Sequence, residues 1–142
     1  MRRYFPANLD LALLVLRLAL AGALLYHGVP KLMNYSGTVG FFQSANIPAP
    51  ALSVAFAILA EVGGGLLLLL GVAVDIAGIL IIIDMIGAIA FVHWAKGYDF
   101  TKGGWEYPFA VLCMALALAL AGPGRYTVGS KRSFQGTERR RS

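Results

Sequence analysis

The sequence predicts an all-α integral membrane protein, and three observations lead to that class. Of the 142 residues, 58% are hydrophobic and 13% are charged, whereas soluble domains have about 45–50% and about 25%. The mean hydropathy is +0.72. The apolar residues occur in blocks without polar alternation, which excludes a membrane β-barrel. Helices are then the structure that satisfies its own backbone hydrogen bonds in lipid.

Four apolar segments qualify as spans, since a bilayer core roughly 30 Å thick needs about 20 helical residues. They run from about Leu9 to Tyr26, Ala51 to Leu70, Ile76 to Ala95 and Tyr107 to Ala121. The first is interpreted as a span and not as a signal peptide, because it is longer than a signal h-region and contains Arg17. Short connections favour a four-transmembrane-helix up-down bundle.

The positive charges predict the orientation of this bundle. The net charge is +5, and basic residues stay on the cytoplasmic side of a membrane. They cluster before the first span and after the fourth: Arg2, Arg3, Arg125, Lys131, Arg132, Arg139, Arg140 and Arg141. We therefore expect a multi-pass protein of a prokaryotic plasma membrane with both termini cytoplasmic.

The chain divides into a transmembrane domain, residues 1–124, and a basic cytoplasmic tail, residues 125–142, which we expect to be disordered. An anchor near anionic lipid explains the tail better than nucleic-acid binding does. Membrane lipids are thus expected partners and nucleic acid is not.

The connections and small residues allow further predictions. Pro30 should break or kink the first helix. The connection after it contains Phe41 and Phe42, so it should lie along the outer interface or fold over the bundle. The run Gly63-Gly64-Gly65 lies within a span and should form a packing face. Cys113 is most simply a small packing residue.

Three charged residues lie near the middle of their spans, where each costs about 2.5–3.5 kcal/mol on insertion scales. They are Arg17, Glu61 and Asp84, from three different helices. One interpretation is a buried ion pair or triad that only fixes helix register. The other is a site that handles protons or polarises a ligand.

A second polar cluster should lie toward the outer face, at the ends of three helices. Its members are Tyr26, His27, Lys31, His93, Trp94 and Glu106. Their spacing is not diagnostic of a metal site, and we expect no metal. A layer of titratable groups above a dry bundle suits a small molecule with a polar head and an apolar tail. At about 100° per residue, Asp84 and His93 fall on opposite sides of a straight helix, so a shared site requires a bend.

The order and spacing of several motifs resemble the DoxX family of small membrane proteins. The stretch from Arg17 to Leu32, which contains Tyr26-His27-Gly28 and Lys31, resembles the family's opening signature. Glu61-Val62-Gly63-Gly64 resembles its second-helix motif, and Gly122-Pro123-Gly124 its closing motif. Asp84 departs from the pattern, because an apolar residue is expected there.

The resemblance implies a membrane subunit of an oxidoreductase complex that binds a quinone-like molecule, together with a protein partner. No flavin, haem or iron–sulfur motif is visible, so electrons would come from that partner or from a soluble donor. His27 or His93 would hydrogen-bond and protonate the quinone, and Glu61 or Glu106 would relay protons. Lys31 and Arg17 would stabilise negative charge, and Tyr26 and Trp94 would contact the ligand.

Two other functions remain open at this stage. One is a non-catalytic assembly or binding protein, in which the ionic network is structural. The other is a small proton-coupled exporter with Glu61 as its membrane acid. Arg17, if it paired with Glu61, would partly neutralise that acid, which makes the exporter the weaker alternative.

Overall fold

The computed structural model describes residues 7–129 and confirms the all-α class. Five helices follow one another: α1 (Leu9–Met33), α2 (Tyr35–Ser44), α3 (Pro50–Leu70), α4 (Val74–Lys96) and α5 (Glu106–Ala121). A 3₁₀ turn at Phe100–Lys102 lies in the last connection. Residues 7–129 contain no strand. Arg2, Arg3 and most of the predicted basic tail lie outside the described residues.

Helices α1, α3 and α4 are long and apolar enough to cross a membrane. In their apolar windows only 28%, 39% and 22% of residues are buried inside the protein. Most of their apolar side chains therefore point outward, where lipid is the solvent that accommodates them. Helix α5 is apolar but has 16 residues, about 24 Å of helix. That α5 crosses the membrane, and that the termini are cytoplasmic, stay predictions.

Helices α1, α3, α4 and α5 pack in a ring in which each helix contacts its two neighbours. Small residues allow the close approaches. A Cβ on Gly65 would lie 3.1 Å from Leu25, and a Cβ on Gly64 would lie 3.3 Å from Ile81. The predicted packing face is thus confirmed for Gly64 and Gly65, whereas Gly63 contacts only Leu59 of its own helix. Cys113, by contrast, is exposed, so its prediction as a packing residue is wrong.

One end of the helix ring, here called the closed end, is where α1 begins, α3 ends, α4 begins and α5 ends. The segment 122–129 folds back across it. The Val128 N–H donates to the Leu70 carbonyl at 2.9 Å. Asp10 accepts from the Arg125 N–H at 2.9 Å and pairs with the Arg125 guanidinium at 3.3 Å. Residues 125–129 therefore pack against the closed end of the helix ring.

At the opposite end, here called the cavity end, the helices separate. The first half of α3, Pro50–Ile58, packs against α1 and α2 but makes almost no contact with α4. Helix α1 does not break at Pro30 but continues to Met33, so that part of the prediction is wrong. Asn34 then starts α2 by accepting from the Gly37 N–H at 3.2 Å. Helix α2 has no buried residue.

Two of the long helices contain a π-helical turn. In α3 the turn spans Leu59–Gly63, and in α4 it spans Ile89–His93. A π turn closes i→i+5 hydrogen bonds, is rare, and is frequent at functional sites. The turn in α3 lies at the middle of its helix, and the turn in α4 lies in the half that faces the cavity end.

Candidate functional site

A cavity of roughly 900 Å³ occupies the cavity end. This is near the upper end of the range for small-molecule sites, about 300–1,000 Å³. Its wall is mainly apolar and includes six aromatic side chains: Phe41, Phe42, Phe56, Phe91, Phe100 and Tyr107. The connection that contains α2 supplies part of this wall, so it folds over the helices, as one of the two sequence predictions stated.

The cavity wall contains a buried ion pair between α1 and α3. Lys31 Nζ lies 2.5 Å from both Oε1 and Oε2 of Glu61. The Glu61 side chain is 4% exposed and the Lys31 side chain 27%. Since breaking such a pair leaves an uncompensated charge in a poorly solvated place, the pair holds both side chains in position.

Asp84 lies at the same depth as Glu61. Helices α3 and α4 run antiparallel, and Gly64 of α3 packs on Ile81 of α4. Glu61 precedes Gly64 by three residues in α3, and Asp84 follows Ile81 by three residues in α4. Because the two helices are antiparallel, both residues lie on the same side of that contact, about 4.5 Å from it toward the cavity end. Both side chains line the cavity. Among residues 7–129, Asp84 makes no hydrogen bond or ion pair with a protein group.

His27 belongs to the same layer, because its neighbour Gly28 packs directly on Glu61. A Cβ on Gly28 would lie 2.7 Å from the Glu61 Cβ. The His27 ring lines the cavity and lies 5.2 Å from the Tyr107 ring, centroid to centroid. One small molecule at this depth can therefore contact His27, Glu61 and Asp84.

His93 lines the cavity closer to the loop, about 13 Å from Asp84 along α4. Its Nδ1 is 2.7 Å from the Gly103 carbonyl oxygen. A carbonyl only accepts hydrogen bonds, so Nδ1 carries a proton and donates. In the neutral ring the free Nε2 is then an acceptor.

The π turn of α4 explains how Asp84 and His93 share one cavity. In a straight α-helix nine residues place them about 180° apart. The turn Ile89–His93 uses about one extra residue, which reduces the offset by about 100°. The two side chains then differ by about 80° and both face the cavity. The bend that the sequence required is therefore a π turn.

Arg17 does not belong to this site, so the predicted network with Glu61 and Asp84 is wrong. Its guanidinium donates to the Pro123 carbonyl at 2.6 Å and to the Tyr126 carbonyl at 2.7 Å, at the closed end. Glu61 packs against Gly28, eleven residues further along α1, which is about 16 Å away. The apolar segment appeared to end at Tyr26, but α1 continues to Met33, and this misplaced its midpoint.

Three more of the predicted residues lie outside the cavity wall. Tyr26 is 77% exposed. Trp94 stacks on Trp105 with ring centroids 6.0 Å apart. Glu106 accepts from the Phe100 N–H at 3.1 Å, within the last connection. These three residues are close in sequence to residues that line the cavity, but they do not line it themselves.

The loop between α4 and α5 is fixed by its own hydrogen bonds. The Gly104 N–H donates to the Asp99 carbonyl at 2.9 Å, and the Trp105 N–H donates to the Gly97 carbonyl at 3.0 Å. The Thr101 hydroxyl, and also its N–H, donate to the Asp99 carboxyl, which lowers the pKa of that group. A rigid loop keeps the Gly103 carbonyl in place for His93.

Within residues 7–129 no group of three or more His, Cys, Asp or Glu side chains is arranged to hold a metal ion. The two histidines illustrate this, because His27 lies at the depth of Glu61 whereas His93 lies near the loop.

The family of this chain follows from a comparison of its sequence with family models. The model described as DoxX matches residues 12–94, which include Glu61, His93 and most of the cavity wall. The chain belongs to the DoxX family. No solved structure matches the chain.

Two curated proteins are similar in sequence to this chain, and their names bear on function. One, from Bacillus subtilis (strain 168), is named "Putative oxidoreductase CatD" and is 31% identical over 81% of this chain and 82% of its own length. The other, from Escherichia coli (strain K12), is named "Inner membrane protein YphA" and is 29% identical over 86% of this chain and 92% of its own length. Membership of a membrane protein family agrees with the three apolar spans.

Sequence reasoning missed two features of the site. It placed Asp84 with Arg17 and did not connect it to the cluster of His27 and Lys31. It also treated the aromatic residues after Met33 as a cover and not as part of a cavity wall. The available signal for the second feature was that Phe41 and Phe42 lie next to polar residues in α2.

Proposed function

We propose that this DoxX protein is the membrane subunit of an oxidoreductase complex and binds a quinone-like molecule in its cavity. The observation that carries the proposal is the Lys31–Glu61 ion pair in an apolar, aromatic-lined cavity, at the depth of His27 and Asp84. We place the protein in a prokaryotic plasma membrane with four spans and both termini cytoplasmic. The name of one relative contains the word oxidoreductase, which agrees with the proposed class of reaction.

The residues present fit such a ligand. Aromatic rings from α2, α3 and α4 offer flat apolar contacts for a ring and an isoprenoid tail, and the polar layer offers partners for two ring oxygens. A bound quinone supplies a reversible acceptor for two electrons and two protons. The chain's own contribution is to bind, orient and exchange protons.

Each polar residue has a distinct task in this proposal. Lys31 fixes the Glu61 side chain in place, so that Glu61 can exchange a proton with a ligand at the buried end. His27 makes no hydrogen bond to a protein group within residues 7–129, so both ring nitrogens are available to a ligand oxygen. His93, fixed by Gly103, can accept a proton at Nε2 near the loop.

The first test is native mass spectrometry of the full chain released gently from its own membranes. We expect a bound molecule with the mass of a quinone in the wild type, and its loss in His27→Ala. Tyr26→Ala is the matched control, because Tyr26 is adjacent in sequence but lies outside the cavity wall. A wild type that carries no quinone under these conditions would contradict the proposal.

A second test compares two glutamates in membranes. Glu61→Gln should reduce quinone reduction at least about tenfold, since general acid–base groups typically contribute about 10²–10⁴ in rate. Glu106→Gln should leave the rate within about twofold, because Glu106 only caps the last connection. Equal rates in Glu61→Gln and wild-type membranes would rule out the proposed proton role.

A further inference from the structure

Several hydrogen-bond donors of the cavity already have partners inside the protein. Lys31 donates to both oxygens of Glu61. His93 Nδ1 donates to Gly103, and the Ser53 hydroxyl donates to the Pro48 carbonyl at 2.6 Å. Three of the cavity's donors are therefore already used inside the protein.

One acceptor at the depth of Glu61 is not engaged in this way. Asp84 makes no hydrogen bond or ion pair with a protein group among residues 7–129, and in its ionised form its carboxylate only accepts hydrogen bonds. It lies at the depth of Glu61, in the apolar part of the cavity, where an unsatisfied polar group is costly. A ligand that brings a hydroxyl to Asp84 removes this cost, whereas a ligand carbonyl oxygen adds a repulsive contact between two acceptors.

We infer that Asp84 is a specificity-determining residue that makes the cavity prefer a reduced ligand with ring hydroxyls, a quinol, over the oxidised quinone. This inference rests on the proposed function, because it concerns the same cavity and the same ligand class. A hydrogen bond to a charged acceptor predicts a preference of about tenfold in Kd. A tenfold preference raises the midpoint potential of the bound two-electron couple by about 30 mV.

This preference has a consequence for the reaction. The reduced molecule is held more firmly than the oxidised one, so the bound quinone is a stronger oxidant than the free quinone in the membrane. A donor of electrons on the partner subunit would therefore reduce the bound molecule more readily, and release of the quinol would be the slower binding step.

The test uses the full chain in lipid nanodiscs, with decylubiquinone and decylubiquinol as probes, titrated by calorimetry under argon. The wild type should bind the quinol about tenfold more tightly than the quinone. Asp84→Asn adds an amide donor at constant size, so the ratio of the two Kd values should fall to about one. Asp75→Asn, the same substitution on an exposed residue of the same helix, should keep the wild-type ratio.

The outcomes separate the two proposals. If the wild type binds neither probe, the proposed function fails and the inference fails with it. If the wild type binds both probes with equal Kd, or if Asp84→Asn keeps the preference, the inference alone is overturned. Should Asp84→Asn not fold, Asp84→Glu retains the carboxylate and is expected to retain the preference, and its loss there would count against Asp84 as the acceptor.

Discussion

Arg17 illustrates how a buried charge is misassigned when only its position along a helix is known. The sequence shows that Arg17 lies within an apolar span, and a partner is therefore required. It does not show that the partner is a backbone carbonyl. The structure supplies Pro123 and Tyr126 carbonyls from the segment after α5, at 2.6 and 2.7 Å. Arg17 thus closes one end of the protein, and Lys31 is the cation that pairs with Glu61 in the cavity wall.

At this scale Lys31 and Arg17 should differ in their coupling energy with Glu61. We expect a coupling energy of about 1–3 kcal/mol in the Lys31→Met and Glu61→Gln double-mutant cycle, because these side chains are in direct contact. The Arg17→Ala and Glu61→Gln cycle should give less than about 0.5 kcal/mol, because the groups lie at opposite ends. The measurement is unfolding of the protein in detergent micelles.

Arg17→Ala alone should cost about 3 kcal/mol, since two hydrogen bonds from a charged donor are lost. Its ligand binding should stay at the wild-type level, because Arg17 does not line the cavity and Glu61 is about 16 Å away. Strong coupling between Arg17 and Glu61 would instead support the buried network that the sequence first indicated.

At the scale of the element, the helices were predictable and their irregularities were not. Blocks of apolar residues predict where α1, α3 and α4 run, because lipid requires such blocks. The π turns leave no such signature. The turn in α4 decides whether Asp84 and His93 share a cavity. The sequence therefore identified four lining residues, His27, Lys31, Glu61 and His93, but not their common wall with Asp84.

The crossing of α1 and α3 depends on Gly28. In Gly28→Ala the new Cβ would meet the Glu61 Cβ at 2.7 Å and the Val62 Cγ2 at 2.9 Å. Since overpacking of this kind typically costs about 1–3 kcal/mol, we expect lower thermal stability and weaker ligand binding. The matched control is Gly22→Ala on the same helix, where a Cβ meets nothing within 4 Å. That control should equal or slightly exceed the wild type, and a control as unstable as Gly28→Ala would contradict the packing argument.

At the scale of the whole molecule, the protein is closed at one end and open at the other. The closed end is tied by Arg17, by the Asp10–Arg125 pair and by the Val128 bond to Leu70. The cavity end is where the first half of α3 separates from α4 and where α2 covers the gap. The polar layer of His27, Glu61 and Asp84 therefore lies between the two ends, in the wall of the cavity.

The same division predicts the membrane topology, because Asn8 and Val128 lie at the closed end and Lys102 lies in the loop at the cavity end. In a Cys113→Ser background, single cysteines at Asn8 or Val128 should react with an impermeant maleimide in inside-out vesicles and not in right-side-out ones. Lys102→Cys, whose native side chain is 76% exposed, should show the reverse. Labelling of Asn8→Cys and Val128→Cys from opposite sides would mean that α5 does not cross. Labelling of both from outside would keep the four spans but reverse the orientation that the basic residues predict.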